Sequence, residues 1–262
     1  IKLRPATPLA IHVLDTNGSP LANVTVRPAK IGEYLLPVEE VTGTEAITDA
    51  SGVANFTGLP SAQLERVYLM GQEIGHQCVT LSKTDVGLTA VALDTQNRHG
   101  RLTAQASELY PMPVFSDVTL EFVSSLDETR SAYTWSNSQV DSDGDFAIDH
   151  VGDGVVTVRG QLPEQTPYTL ASTVTYSGLQ LIDDAYQLEL VPATRVRGRI
   201  IDADSGEGLP QIHISNFETG GRRCVTDEGG DFFFWAGPGR SSYYPSHSLG
   251  RYRLDAAFYL YP

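Results

Sequence analysis

Lysine is nearly missing from this sequence of 262 residues: only Lys2, Lys30 and Lys83 occur. The 18 basic residues face 32 acidic ones, giving a net charge of −14. A surface of that sign repels phosphate backbones, so nucleic-acid partners are disfavoured. Cysteine is scarcer still: Cys78 and Cys224 fall in different parts of the repeat pattern described below and are expected to be unpaired. No apolar run approaches the ~18 consecutive residues of a membrane span, which excludes insertion through a single helix. The opening Ile1-Lys2-Leu3-Arg4-Pro5 has neither the apolar core nor the small-residue cleavage site of a signal peptide. Without an initial Met, the chain reads as a mature form or an excised fragment. No stretch carries a convincing helical period, and Ser61 to Arg66 offers one turn at most. The G-x-S-x-G, P-loop, dinucleotide-Gly and HExxH patterns are missing as well.

The sequence does have strand formers and turns. Hydrophobic residues make up 41%, dominated in the apolar runs by Val, Thr, Ile, Tyr and Phe, alongside 24 Gly and 15 Pro. Ala10 to Leu14 reads as a strand, followed by the turn Asp15-Thr16-Asn17-Gly18-Ser19-Pro20 and an alternating strand around Val24 and Val26. Next come Thr48-Asp49-Ala50-Ser51-Gly52, a short strand to Phe56, Gly58-Leu59-Pro60, and closing strands at Val67–Met70 and Leu88–Leu93. A polar segment with Glu73, His76 and Cys78 separates the two closing strands. The order recurs from Gly100, with Asp117–Phe122, then Asp141-Ser142-Asp143-Gly144-Asp145-Phe146, Val155–Val158, a strand-like stretch from Tyr168 to Gly178, and Tyr186–Leu190. It recurs again from Arg195, with Asp202 to Pro210, Thr226-Asp227-Glu228-Gly229-Gly230, Phe232–Trp235 and a late strand at Tyr252–Ala256. Starting strands near residues 10, 101 and 196 give a period of roughly 90 residues, the size of a small sandwich rather than of a solenoid repeat. The expected units are 1–97, 98–192 and 193–262. The last is either truncated or closed by a final strand within Phe258–Tyr261. Very short linkers at Arg98-His99 and Pro192-Ala193 would make the units abut in a semi-rigid row.

The turn pattern resembles the carboxypeptidase regulatory-like domain, a transthyretin-like (prealbumin-like) sandwich, and is similar to the B-type repeats of collagen-binding surface proteins. The residues that carry the resemblance are Asp15, Gly18, Pro20, Thr48, Asp49, Gly52 and Phe56 in the first unit. In the third they are Asp202, Gly206, Pro210, Thr226, Asp227, Gly230 and Phe232; the second keeps Asp141, Gly144 and Phe146 and lacks the first turn. The resemblance implies an all-β fold of tandem seven-stranded Ig-like sandwiches and an accessory role in secreted or surface proteins. It is a turn code and carries no catalytic residue. Some domains of this kind form a Lys–Asn isopeptide bond from a first-strand Lys. Units two and three contain no lysine, and Lys2 and Lys30 flank the expected position in unit one.

Candidate chemistry is sparse. Asp141-x-Asp143-Gly144-Asp145 has the look of a calcium loop, yet the distant bidentate Glu and flanking helices are missing, so a β-turn is the reading. Asp202-x-Asp204 and Asp183-Asp184 read the same way. The six histidines, His213 between Ile212 and Ile214 among them, form no ligand spacing. Tyr243, Tyr244 and His247 are the candidate metal ligands, because intradiol dioxygenases, on a related sandwich, hold iron with two Tyr and two His. The His-x-His element of those enzymes is missing. The urate-pathway hydrolase of transthyretin type ends in Tyr-Arg-Gly-Ser, which this chain lacks. Trp135, with Tyr133, and Trp235 are candidate carbohydrate platforms. Trp135 lies in a polar setting that predicts exposure. Alternation puts Trp235 with Phe233 on one strand face and Phe232 with Phe234 on the other, one face being core and the other an inter-domain or partner surface.

The sequence therefore predicts a non-catalytic spacer or protein-binding module, without cofactor, of a secreted, cell-surface or periplasmic protein. Partners would be protein or carbohydrate surfaces, docking on sheet edges by strand addition. Carbohydrate binding through exposed aromatics is the alternative, and a dioxygenase-like metal site in unit three the second.

Overall fold

The computed structural model describes residues 8–36, 44–59, 62–85, 87–125, 132–163, 166–171, 181–182, 185–216, 222–237, 241–246 and 258–260. It is built of strands, and the one helical element among the described residues is a 3-10 turn at Phe115–Asp117. In the first strand, β1 (Leu9–Leu14), Leu9, Ile11 and Val13 are buried and the residues between them are not, the alternation a pleated strand demands when one face meets a core.

The first sandwich continues with β2 (Thr25–Ile31), β3 (Tyr34–Leu35), β4 (Ala46–Ile47), β5 (Val53–Phe56), β6 (Leu64–Gly71), β7 (Gly75–Thr84) and β8 (Gly87–Val91). One layer has the order β5-β1-β8; the other runs from β2, paired with β3 and β4, through β6 to β7. The end of β7, Leu81–Thr84, crosses to pair with β8, so β7 belongs to both layers. β1 and β8 run parallel, with Ile11 opposite Leu88. The sandwich interior is a cluster that includes Ile11, Val13, Val26, Ala54, Val67 and Leu69, all fully buried.

The second sandwich repeats this plan with β9 (Thr95–Ala104), β10 (Thr119–Ser125), β11 (Tyr133–Gln139), β12 (Asp145–Gly152), β13 (Val155–Gln161), β14 (Tyr168–Leu170), β15 (Leu181–Ile182) and β16 (Ala185–Pro192). Its layers are β12-β9-β16, with β14 and β15 on β16, and β13-β10-β11. The first and last strands are again parallel, Gly100 opposite Tyr186. Leu102, Leu120, Phe122, Ile148 and Leu190 form the centre of a separate core. The third set comprises β17 (Thr194–Arg199), β18 (His213–Asn216), β19 (Arg222–Val225), β20 (Asp231–Ala236), β21 (Ser241–Ser246) and β22 (Phe258–Leu260). β17 pairs β20, and the facing layer is β19-β18-β21-β22. Its described core holds Ile214, Phe234 and Ala236.

The architecture is thus the all-β tandem sandwich that the turn pattern implies. Several local readings change. The polar segment around His76 and Cys78 is the ten-residue strand β7, whose backbone pairs with β6 along most of its length and with β8 at its end. Tyr133 to Asn137 also lie in a strand, β11. Leu64–Arg66 lies in β6 and not in a helical turn. Arg98 and His99 sit within β9, so the short link between the first two cores falls before Thr95, where Ala92 and Leu93 still pack on the first core. The late strand expected at Tyr252–Ala256 and most of the stretch Tyr168–Gly178 lie outside the described residues. The final strand expected near Phe258 is β22.

Candidate functional site

Each Asp-x-x-Gly turn is held by its own carboxylate. Asp49 Oδ1 accepts the N–H groups of Ser51 and Val53 at 2.9 and 3.0 Å, and Asp141 Oδ1 those of Asp143 and Asp145 at 2.9 and 2.8 Å. Asp227 Oδ1 does the same for Gly229 and Asp231, both at 2.9 Å. The first turns repeat the device, with Asp15 serving Asn17 and Ser19, and Asp202 serving Asp204 and Ser205. Hydrogen bonds to the charged form hold the Asp49 and Asp202 carboxyls below the usual carboxylate range, led by the Ser51 hydroxyl and the Ser205 N–H respectively. Asp141 is therefore a turn cap, with Oδ1 committed to two backbone N–H groups, while Asp145 lies 3.5 Å from Arg101. No group of three or more His, Cys, Asp or Glu residues is poised around a metal among the described residues. The Thr that precedes Asp49 and Asp227 ties strand ends together. Buried Thr226 accepts the Ile212 N–H at 2.9 Å and donates to Leu209 O at 2.6 Å, and Thr48 accepts the Val24 N–H at 2.9 Å.

The side chains that draw together across the fold do so at the junction of the first two sandwiches. β11 of the second pairs antiparallel with β7 of the first: Tyr133 faces Cys78, Thr134 faces Gln77 and Trp135 faces His76. One sheet of eleven strands thereby runs through both sandwiches. Above this pairing lies an aromatic cluster. The Trp135 ring meets Tyr68 edge-on at 5.6 Å, His76 at 5.4 Å and Tyr133 at 5.8 Å, with Ala29 and Cys78 buried beneath. Burial pushes the Tyr133 phenol and the Cys78 thiol up and holds His76 down, His150 adding to the last effect. Fully buried Gln77 ties β7 to the link between the sandwiches: its amide donates to Ile74 O and Leu93 O, both at 2.9 Å, and accepts the Leu93 N–H at 2.7 Å. Thr16 bonds Asp94 in the same link at 2.8 Å. His150, at a bulge in β12 with φ 59°, packs directly on Gly75.

Trp135 is half-buried here, where its polar neighbours predicted exposure: Ser136 and Asn137 follow it along the chain, but the partner strand β7 brings His76 across and β6 behind it brings Tyr68. Gln77 escaped the sequence reading altogether, since a lone Gln in a polar stretch carries no signal of burial. Trp235, on β20, lies at the next junction. Its ring meets Tyr110 of the second sandwich edge-on at 5.5 Å, and its indole nitrogen is buried with no partner among the described residues. Phe232 and Phe234 stack on the core side of β20 at 6.2 Å, and Phe233 lies on the outer side under Arg195; alternation separates the two faces as expected, and which of them is core comes from the structure. Tyr243 and Tyr244 occupy adjacent positions of β21, opposite Asn216 and Ser215 of β18. His247 lies outside the described residues. Cys78 is a buried free thiol, and Lys30 is ion-paired with Glu65 at 2.5 Å.

No family model matches the chain, and no curated protein sequence matches it. Among solved structures it is similar to the TIE protein of Bacillus anthracis, at 13% identity over 98% of this chain and 48% of that one, with a TM-score of 0.23. It is similar to a streptococcal ancillary pilin, at 11% identity over 97% and 95% of the two chains, TM-score 0.26. Two B repeat units (B1B2) of the collagen binding protein of Staphylococcus aureus share 12% identity over 95% and 71%, TM-score 0.26. The chain spans about half the length of the first of these. No helix among the described residues is long and apolar enough to cross a membrane.

Proposed function

We propose that this chain is a non-catalytic spacer and protein-binding module of an exported or surface-attached protein, three prealbumin-like sandwiches set in a row. The observation that carries the reading is the strand pairing of β7 with β11. A flexible tether would need no hydrogen-bonded register between neighbours, no buried Gln77 bridging to the link and no aromatic cluster over the seam. Such a junction transmits orientation and load from one sandwich to the next. The shared chemistry of the turns is consumed internally, Asp carboxylates on N–H groups and Thr hydroxyls on strand ends, which leaves support rather than turnover as their role. NMR relaxation on the full chain tests this: the first two sandwiches are expected to share one rotational correlation time. Separate times for residues 8–93 and 95–192 would refute it.

A further inference from the structure

In the first two sandwiches the first strand is flanked on each side. β1 lies between β5 and parallel β8, and β9 between β12 and parallel β16. Their counterpart β17 pairs with β20 alone among the described residues. Equivalence is fixed by the turns: Val13 donates its N–H to Gly52, Leu102 to Gly144 and Ile200 to Gly230. Gly100 and Gly198 are therefore counterparts. A Cβ on Gly100 would meet both the ring of Phe146 and the carbonyl of Tyr186 in the parallel strand; on Gly198 its three nearest neighbours among the described residues would be atoms of the Phe232 ring. The consequence shows in burial. Ile200 remains part-covered, where its counterparts Val13 and Leu102 are buried. Because Ile200 bonds toward the β20 side, alternation turns the N–H and C=O of Arg197 and Arg199 to the other edge.

That edge carries an unusual charge. Arg195, Arg197 and Arg199 follow one another on the outward face of a strand in a chain of net charge −14. Arg195 lies 4.7 Å from the Phe233 ring centre and Arg199 donates to Gly229 O at 2.7 Å, so both stems are held against the sheet. We propose that β17 is the docking edge for an acidic strand of a partner polypeptide, added in parallel. Its apolar residues would face Val196 and Ile200, and its carboxylates would lie beside the three arginines. The pattern required is that of β16, where buried Tyr186, Leu188 and Leu190 alternate with exposed Gln187 and Glu189. A second copy is disfavoured by mutual repulsion between two chains of this net charge. The proposal rests on the protein-binding half of the reading above and not on the spacer half, so independent tumbling of the sandwiches would leave it standing.

The test uses the full chain and a synthetic peptide of Ala185–Pro192 sequence carrying Gln187→Glu, with a control peptide carrying Gln187→Lys and Glu189→Lys. Amide exchange at Arg197 and Arg199 is expected to be fast in the free chain and to slow about tenfold or more with the acidic peptide. Binding should weaken as salt is raised, and the lysine peptide and the exposed-site variant Arg197→Glu should each lose about tenfold in affinity. Equal binding of the two peptides, or no slowing at either amide, overturns the proposal. So does protection of those amides before peptide is added, whether it varies with protein concentration (a second copy) or does not (cover from within the chain).

Discussion

Gly75→Ala probes the first junction at one atom. Gly75 has φ +66°, and a Cβ there would lie 2.5 Å from the Cβ of His150 in the neighbouring sandwich. Two costs follow. The left-handed backbone penalises Ala by about 1–2 kcal/mol wherever the sandwich stands. Overpacking against His150 adds about 1–3 kcal/mol, and only if the two sandwiches meet as described. His150→Gly removes the opposing Cβ and suits the left-handed φ of 59° at that site, at the loss of the Thr95 hydrogen bond of 3.2 Å. The double variant should therefore be less destabilised than the sum of the two singles by about 1–3 kcal/mol. Equilibrium urea unfolding, followed by the fluorescence of Trp135 beside the junction, measures the cycle. If the single variant relieves its clash by opening the seam, small-angle scattering will show a larger radius of gyration that His150→Gly restores. Additivity within about 0.5 kcal/mol, with unchanged scattering, would mean that Gly75 and His150 do not touch in solution, and the rigid junction would fall with them.

Burial holds the folded His76 pKa below the ordinary histidine value of 6.5. The unfolded chain therefore binds the proton more readily, so this contribution to stability is whole above pH 6.5 and is lost as the pH falls toward the lowered folded value. Urea midpoints measured down to pH 5 should show the decline, and His76→Gln should flatten it. Thr226→Val strands the fully buried Ile212 N–H and should cost about 1–3 kcal/mol, read from the last transition to involve Trp235. Cys78 is buried with its thiol pushed up, so alkylation of native protein at neutral pH should spare it until the first sandwich unfolds, which mass spectrometry of labelled peptides will report.

The fold was legible wherever backbone chemistry dictates residue type. Gly52, Gly144 and Gly230 all take positive φ, and a Cβ on any of them would strike the carbonyl of the first strand, Val13, Leu102 or Ile200. Only glycine fits, so the turn code repeats and can be read from a single sequence. The Asp residues of the same turns are equally constrained by the N–H groups they accept, which is why a β-turn could be read at Asp141. The junctions were not legible in this way, because pairing between β7 and β11 uses main-chain groups that every residue carries. Tyr133-Thr134-Trp135 has the alternation of a strand, but nothing in its side chains names the strand it joins. Gln77 is the extreme case: its three hydrogen bonds go to backbone atoms of Ile74 and Leu93, and any polar residue in the sequence could have been read as solvent-facing there. Trp235 was half legible, since alternation gave its face and only the approach of Tyr110 gave that face a partner. Contacts within a sandwich leave marks on composition through turns and alternation. Contacts between sandwiches rest on register and shape, and in this chain the proposed work lies in those contacts.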